Sequence, residues 1–312
     1  MGDEEDRKTG DPILVVGSVA FDNVRTPYGE AREALGGAAT YFSVAATVRY
    51  RPVHLVGVVG EDFPDDVVKR LTERGVDCSG LEQAAGATFR WSGYYEGDMN
   101  VAQTEETCLN VFAEFRPKLP ETFRKPGYLF LANIDPDLQL DVLQQVERPR
   151  VVAADTMNFW IESKKDRVEA VVEAVDVMFI NDAEAVQFTG ERNLVSAARE
   201  LLRRGPRAVV IKKGAHGCLL FSGTEVAAIP AVPLETVVDP TGAGDSFGGA
   251  FMAAIARRGA DARDFRILRE AAGYGSVIAA FNCEAFSMER TLALTEEEVE
   301  ERLEQLRRVA EF

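Results

Sequence analysis

Histidine and cysteine are scarce in this chain. The two histidines, His54 and His216, stand too far apart for a histidine-based metal site of recognisable spacing. The four cysteines, Cys78, Cys108, Cys218 and Cys283, form no Cys-x-x-Cys pair, so they suggest neither a zinc knuckle nor a disulfide frame. They suit small buried thiols in a reducing cytoplasm, which is the expected location. Positive charge is also short. Lys and Arg number 35 against 51 Asp and Glu, a net charge of −16. Nucleic-acid phosphates would be repelled by such a chain, although a local field can still favour a small phosphorylated ligand. No apolar run reaches the roughly 20 residues of a membrane span. The N-terminal Met-Gly-Asp-Glu-Glu-Asp-Arg-Lys lacks the apolar core of a signal peptide, and residues 1–10 are expected to be a disordered tail. No Gly-x-x-x-x-Gly-Lys-[Ser/Thr] occurs, which excludes a Walker loop. No Gly-x-Gly-x-x-Gly follows the first apolar run, which excludes a dinucleotide-binding Rossmann start. There is no internal repeat and no low-complexity segment.

What the chain does contain is the string Asp239-Pro240-Thr241-Gly242-Ala243-Gly244-Asp245-Ser246-Phe247. Upstream, residues 226–238 read as extended. Downstream, residues 246–258 read as a helix, with Phe247, Phe251, Ala254 and Ile255 on one face and Gly259 as a stop. A helix start offers unpaired N–H groups and the positive end of the helix dipole. Gly242 and Gly244 let an anion approach the backbone, so the junction reads as a phosphate site. Asp245 in the same turn can accept a proton from an attacking hydroxyl. An ordinary cap would need only the aspartate and its glycines. Asp-Pro-Thr in front and Phe-Gly-Gly-Ala behind exceed that need.

The rest of the chain alternates. Residues 13–16, 53–59, 128–132, 151–154, 177–180 and 208–211 read as buried strands. Helical segments fall at 37–50, 65–74 and around 137–147, 163–174, 183–189 and 194–204. Such alternation predicts an α/β fold with a parallel sheet and helices on both faces, its site outside the carboxyl ends of the strands. Residues 23–35 suit a small hairpin, and 87–116 read as two or three exposed strands. Thr295–Arg308 reads as a charged amphipathic cover helix.

The nine-residue string resembles the signature of the ribokinase-like (PfkB-type) carbohydrate and nucleoside kinases, and the resemblance covers nearly the whole chain. It implies one kinase domain over residues 11–312. The fold would be a doubly wound, mostly parallel sheet with helices on both faces, plus a small β-sheet lid from about 18–35 and 87–116. It implies ATP-dependent phosphorylation, with Mg²⁺, of a hydroxymethyl group on a sugar or sugar-like acceptor; a monovalent cation also accompanies some members. Asp245 would be the base, and the amides of Gly242, Ala243 and Gly244 the anion hole, with Thr241 on the nucleotide side. A nucleoside kinase of the same fold, or a catalytically silent nucleotide-binding sensor, are the alternatives; the intact Asp245 speaks against the sensor.

Further positions carry over one by one. Asn181-Asp182-Ala183-Glu184 fits a plain helix start, and also resembles the Asn-x-x-Glu that the family ties to Mg²⁺ and phosphate; Asn181 and Glu184 are the metal candidates. Lys212-Lys213-Gly214-Ala215-His216-Gly217 fits a glycine hairpin, and corresponds to the turn that borders ATP phosphates. Gly214 and Gly217 are assigned there with Lys212, which stands where the family usually has threonine. Asn282 lies where the family borders adenine and the cation. On the acceptor side, Asp22 matches an aspartate that binds a diol. Gly36 and Gly37 match a Gly-Gly pair. Tyr41 replaces the usual asparagine and offers a ring for stacking and a hydroxyl. Asn158, in Asp155-Thr156-Met157-Asn158, loosely matches a further acceptor contact, with Trp160 where an arginine is usual. Phe89, Trp91, Tyr94 and Tyr95 either line the acceptor site or cover a homodimer contact between lids. The partner is a small sugar or nucleoside, with neither nucleic acid nor membrane.

Overall fold

The computed structural model describes residues 9–311. Residues 1–8, most of the expected tail, lie outside the described residues, while Thr9 and Gly10 already belong to a strand. The chain runs through β1 (Thr9–Val16), the hairpin β2 (Ala20–Thr26) and β3 (Gly29–Gly36), α1 (Ala38–Thr47), β4 (Arg51–Val59), α2 (Asp65–Glu73) and β5 (Val76–Gln83). A second hairpin, β6 (Phe89–Tyr94) and β7 (Gln103–Cys108), precedes β8 (Tyr128–Leu131), α3 (Pro136–Gln145), β9 (Val151–Ala154), α4 (Asn158–Ser163) and α5 (Lys165–Ala174). Then come β10 (Val177–Asn181), α6 (Asp182–Thr189), α7 (Leu194–Arg204), β11 (Ala208–Lys212), β12 (Cys218–Ser222) and β13 (Glu225–Ile229). Helices α8 (Ala243–Arg257), α9 (Phe265–Asn282), α10 (Glu289–Leu292) and α11 (Glu296–Ala310) follow.

Nine strands form the main sheet in the order β13-β12-β11-β10-β9-β8-β1-β4-β5. Every pairing from β5 across to β11 is parallel, and β12 and β13 add antiparallel strands at one edge. Helices cover both faces, so the central strands are continuous apolar runs. Val151 and Ala153 enter one core with α1, α8, α9 and α11. Val152 and Ala154 enter the other with α3, α5, α6 and α7. The period of two along each strand thus serves two cores at once. The small sheet, ordered β3-β2-β6-β7, stands apart and uses the two expected lid segments. Among the described residues, no helix is long and apolar enough to cross a membrane.

Several elements differ from the sequence reading, among them the short helices α4 and α10, β5, α9 and the run after β12. β5 escaped it because VDCSGLEQ is polar and only half-buried at the sheet edge. Helix α9 escaped it because Gly273 and Gly275 interrupt its apolar period. The extended run expected over 226–238 stops as a strand at Ile229, since Pro230 and Pro233 have no N–H for a ladder. The Gly248-Gly249 pair just behind the signature string also finds its cause here. A methyl group on Gly249 would lie 2.2 Å from the Phe42 carbonyl oxygen, so α8 and α1 meet backbone to backbone.

Candidate active site

Because β1, β8, β9, β10 and β11 run parallel, their carboxyl ends open on one edge of the sheet. Asp155 follows β9, Asn181 ends β10, and Lys212 ends β11 directly beside it in register. The start of α8 faces this edge through the loop 239–242. Asp239, wholly buried, builds that loop by accepting the N–H groups of Thr241 (2.9 Å) and Ser287 (3.2 Å). Gly242 adopts φ +71°, and a side chain there would strike the Tyr41 ring. Only glycine meets both demands at low cost. The resulting helix start leaves the Gly242 and Gly244 amides without an acceptor among the described residues, whereas the Ala243 amide donates to the Pro240 carbonyl at 3.1 Å. Of the three amides expected to form an anion hole, those of Gly242 and Gly244 are left free, because the turn that exposes them consumes the third.

Asp245 lies in the first turn of α8, partly accessible to solvent. Burial, with Asp155 adding to it and Lys212 opposing, pushes its carboxyl up to about 7. Lys212 bonds Asp155 at 2.5 Å, both side chains being largely buried. Its ammonium reaches over the loop backbone: a methyl on Gly244 would sit 3.2 Å from Nζ. Burial alone would lower the Lys212 pKa, but Asp155, Glu184 and Asp245 outweigh it and hold the charge on. Glu184, 7% exposed, and Asn181 form a reciprocal capping box on α6, each side chain accepting the other's N–H at 2.8 Å. Burial first, and Asp155 next, push the Glu184 carboxyl up to about 7. The helix-start reading of this motif is thus real. It commits one Glu184 oxygen and leaves the other for a further partner.

On the opposite side of Asp245 stand Asp22, Gly36, Gly37 and Tyr41. The Asp22 carboxylate occupies the space a Gly36 side chain would need, 2.0 Å from a methyl placed there. Gly37 precedes α1, whose first amides donate to the Ser18 hydroxyl and carbonyl at 3.0 Å each. Burial, then Asp239 and Asp245, push the Asp22 carboxyl up to about 8. Tyr41 corrects an expectation. It is 2% exposed, its ring lies against Gly242, and it presents no open stacking face. Its hydroxyl has no hydrogen-bond partner among the described residues.

A cavity of about 550 Å³ adjoins the loop, lined among others by Ala243 and Gly244, by Lys212, Gly214 and Gly217, and by Val232 and Leu234. Asn282 does not line it. It is wholly buried and braces the anion loop, donating to the Thr241 carbonyl at 2.7 Å and accepting from the Ser246 hydroxyl at 3.2 Å. Thr241 is spent on the same bracing, with its hydroxyl donating to the Tyr95 oxygen at 3.3 Å. Asn158 is exposed and bonds the neighbouring Phe159 N–H, outside the group around Asp245. Asp155, three residues earlier, takes its place in the site. Asp155 and Asp239 were the residues missed. For Asp155 a signal existed, since it directly follows an apolar strand, as Asn181 follows Val177–Ile180. Of the lid aromatics only Tyr95 reaches the site. Phe89 stacks on Phe112 and Trp91 bonds Thr104.

Comparison with known proteins bears on the family and the fold. The chain is 31% identical over 250 residues to the cytidine kinase of Thermococcus kodakarensis, covering 78% of this chain and 88% of that one. The structure of the Methanocaldococcus jannaschii nucleoside kinase, an archaeal member of the ribokinase family, superposes with a TM-score of 0.75 at 22% identity, covering 95% of this chain and 98% of that one. Aminoimidazole riboside kinase from Salmonella enterica, solved with its riboside and an ATP analogue, gives a TM-score of 0.73 at 19% identity, covering 94% and 100%. The model of the pfkB family carbohydrate kinases matches residues 11–292. The chain belongs to the pfkB family of carbohydrate kinases, and is a phosphotransferase acting on an alcohol group.

Proposed function

We propose that this kinase transfers the γ-phosphoryl group of ATP to the hydroxymethyl group of a nucleoside, with a pyrimidine nucleoside such as cytidine as the first acceptor to test. The observation that carries the acceptor class is the 31% identity to a cytidine kinase across 88% of that protein's length. In this reading the acceptor lies between Asp22 and Asp245. The Asp22 carboxyl offers two oxygens for the ribose diol and is acceptor-only once ionised. Asp245 accepts the proton of the hydroxymethyl oxygen as that oxygen attacks phosphorus. The Gly242 and Gly244 amides and the Lys212 ammonium receive the charge of the transferring group, and Ala243 supports the turn that aims them. Donors fixed in advance in a site that excludes water are worth several kcal/mol there. Gly214 and Gly217 border the nucleotide, Thr241 and Asn282 keep the loop rigid, and Gly36 and Gly37 make room for Asp22.

The donors near Lys212 are all oxygens, Asp155, Glu184 and Asn181, which suits a hard cation. Among the described residues no three acidic or sulfur and imidazole groups are arranged to hold a metal by themselves. Glu184 and Asn181 would therefore hold the Mg²⁺ that accompanies ATP chiefly through water, and with it comes neutralisation of phosphate charge. Phosphoryl transfer is mainly positioning and electrostatics, which is what this set supplies. The test is a panel of acceptors assayed for ATP consumption with product identified by mass spectrometry. Cytidine is expected to exceed ribose and fructose in kcat/KM by about 10²-fold, since buried polar groups left unpaired are costly. A preference for the free sugars would overturn the nucleoside reading.

A further inference from the structure

The hairpin of β6 and β7 does more than cover the acceptor. Its loop, residues 95–102, turns out of the lid sheet and forms a wall of the cavity that Ala243 and Gly244 also line, through Tyr95, Asp98, Met99 and Asn100. Three contacts fix the loop there. The Tyr95 oxygen accepts from the Thr241 hydroxyl at 3.3 Å. Met99 is buried with Val24 and Tyr95 against Val237. Asn100 Oδ1 accepts the Ala215 N–H at 3.1 Å, in the middle of the glycine turn, and a methyl on Gly214 would come within 2.4 Å of that oxygen. Asp98 in turn accepts the Asn100 N–H at 3.2 Å, which fixes the loop backbone behind the contact.

We infer that Asn100 is a nucleotide-positioning residue, by which the lid clamps the 214–217 turn and becomes part of the ATP pocket. The inference rests on reading this cavity as the ATP site. The turn has two glycines at positive φ, Gly214 and Gly217, and closes on itself through the Lys213, His216 and Gly217 amides; the Ala215 N–H between them is the one satisfied from outside, by Asn100. A lid that touches both substrates also couples them. Whatever closes the loop over the nucleotide draws β6, and β2 paired with it, onto the acceptor.

Hydrogen exchange by mass spectrometry on the full chain, with the ATP analogue AMP-PNP and Mg²⁺ and no acceptor, tests this. In the unaltered protein AMP-PNP is expected to protect residues 95–102 as well as 212–218 and 239–246. In Asn100→Ala, an exposed loop position whose truncation leaves the cores untouched, protection of 95–102 is expected to vanish while that of 239–246 persists. AMP-PNP affinity by calorimetry is expected to fall about fivefold, the worth of one such bond. Val101→Ala, at a side chain 65% exposed, is expected to change neither. Protection of 212–218 and 239–246 without 95–102, or an Asn100→Ala protein indistinguishable from the original, would overturn the inference alone. No protection anywhere would overturn it together with the ATP-site reading.

Discussion

The two halves of the site are built in opposite ways. The half that bears Asp245, Lys212 and Asp155 sits on α8 and on strand ends whose residues are wholly buried between two cores. The lid half sits on strands such as β7, exposed along nearly its whole length, with only Val24, Tyr95 and Met99 as a core of its own. Ion pairs substitute for packing there: Arg90 holds Glu33 at 2.7 Å and Asp62 at 2.8 Å, and Arg25 holds Glu105 at 3.0 Å. Groups that must not move during transfer gain from dense packing, whereas a cover that must open gains from weak, solvent-exposed contacts. Under the proposed function, the division gives chemistry to the packed half and selection to the loose one.

That division can be broken by measurement. The largest effect is expected at the packed half: Asp245→Asn should lower kcat by at least ~10²-fold with AMP-PNP affinity little changed. Turnover like that of the unaltered enzyme with its best acceptor would falsify the base assignment. Across the cleft, Asp22→Ala should raise the acceptor KM by about 10-fold or more and leave the ATP KM alone, since it removes two hydrogen bonds to the diol, each worth roughly 1 kcal/mol. An equal loss in kcat would show that the lid side takes part in the chemistry.

Proton affinity sharpens the same contrast. A base works ionised, so kcat/KM should climb with pH through about 7, the value to which burial pushes Asp245. Stability should move the other way. Unfolded carboxyls lose their protons near ~4, while folded Asp22 and Asp245 hold theirs to about 8 and about 7. The folded state binds the extra protons in that window, so the contribution of these groups is fully present below pH ~4 and fades as pH rises towards 8. Thermal unfolding of the ligand-free protein from pH 5 to pH 8 should show the decline, and Asp22→Asn should flatten it by at least ~1 kcal/mol. A flat profile in the unaltered protein would show both carboxylates to be better solvated than their burial implies. The smallest effect belongs to the lid pairs. Arg90→Ala should cost no more than ~1 kcal/mol of global stability, partly exposed ion pairs being weak, while speeding hydrogen exchange in β2 and β6. A loss of several kcal/mol would make the lid an integral part of the core.

The legible parts of the fold were those where one local rule acts alone. Val151–Ala154 and Leu194–Arg204 were read at their true bounds, since an apolar run and an Asn-capped amphipathic period need no distant partner to be recognised. The β5 strand and α9 were not read, because a polar edge strand and a glycine-interrupted helix owe their form to the neighbours they pack on. At the candidate site, the turn of Gly242 and Gly244 ahead of Asp245 was readable as local geometry, because a positive φ and a close approach fix glycine at that spacing. Asn282 and Tyr41 were readable as positions but not as roles. Only their burial turns one into a brace for Thr241 and the other into a support for Gly242.

By itself the sequence determined the glycine turn that opens α8, the alternating α/β order and the place of Asp245 beside that turn. Each follows from bonds and periods within a few residues. Tertiary structure alone decided that Asp155 meets Lys212 across 57 positions, that the Ala243 amide is spent on Pro240, and that Asn100 reaches the Ala215 turn. Those contacts depend on which strand lies beside which and on how far the lid reaches over the core. No local pattern encodes such distances, because they are set by the packing of whole elements.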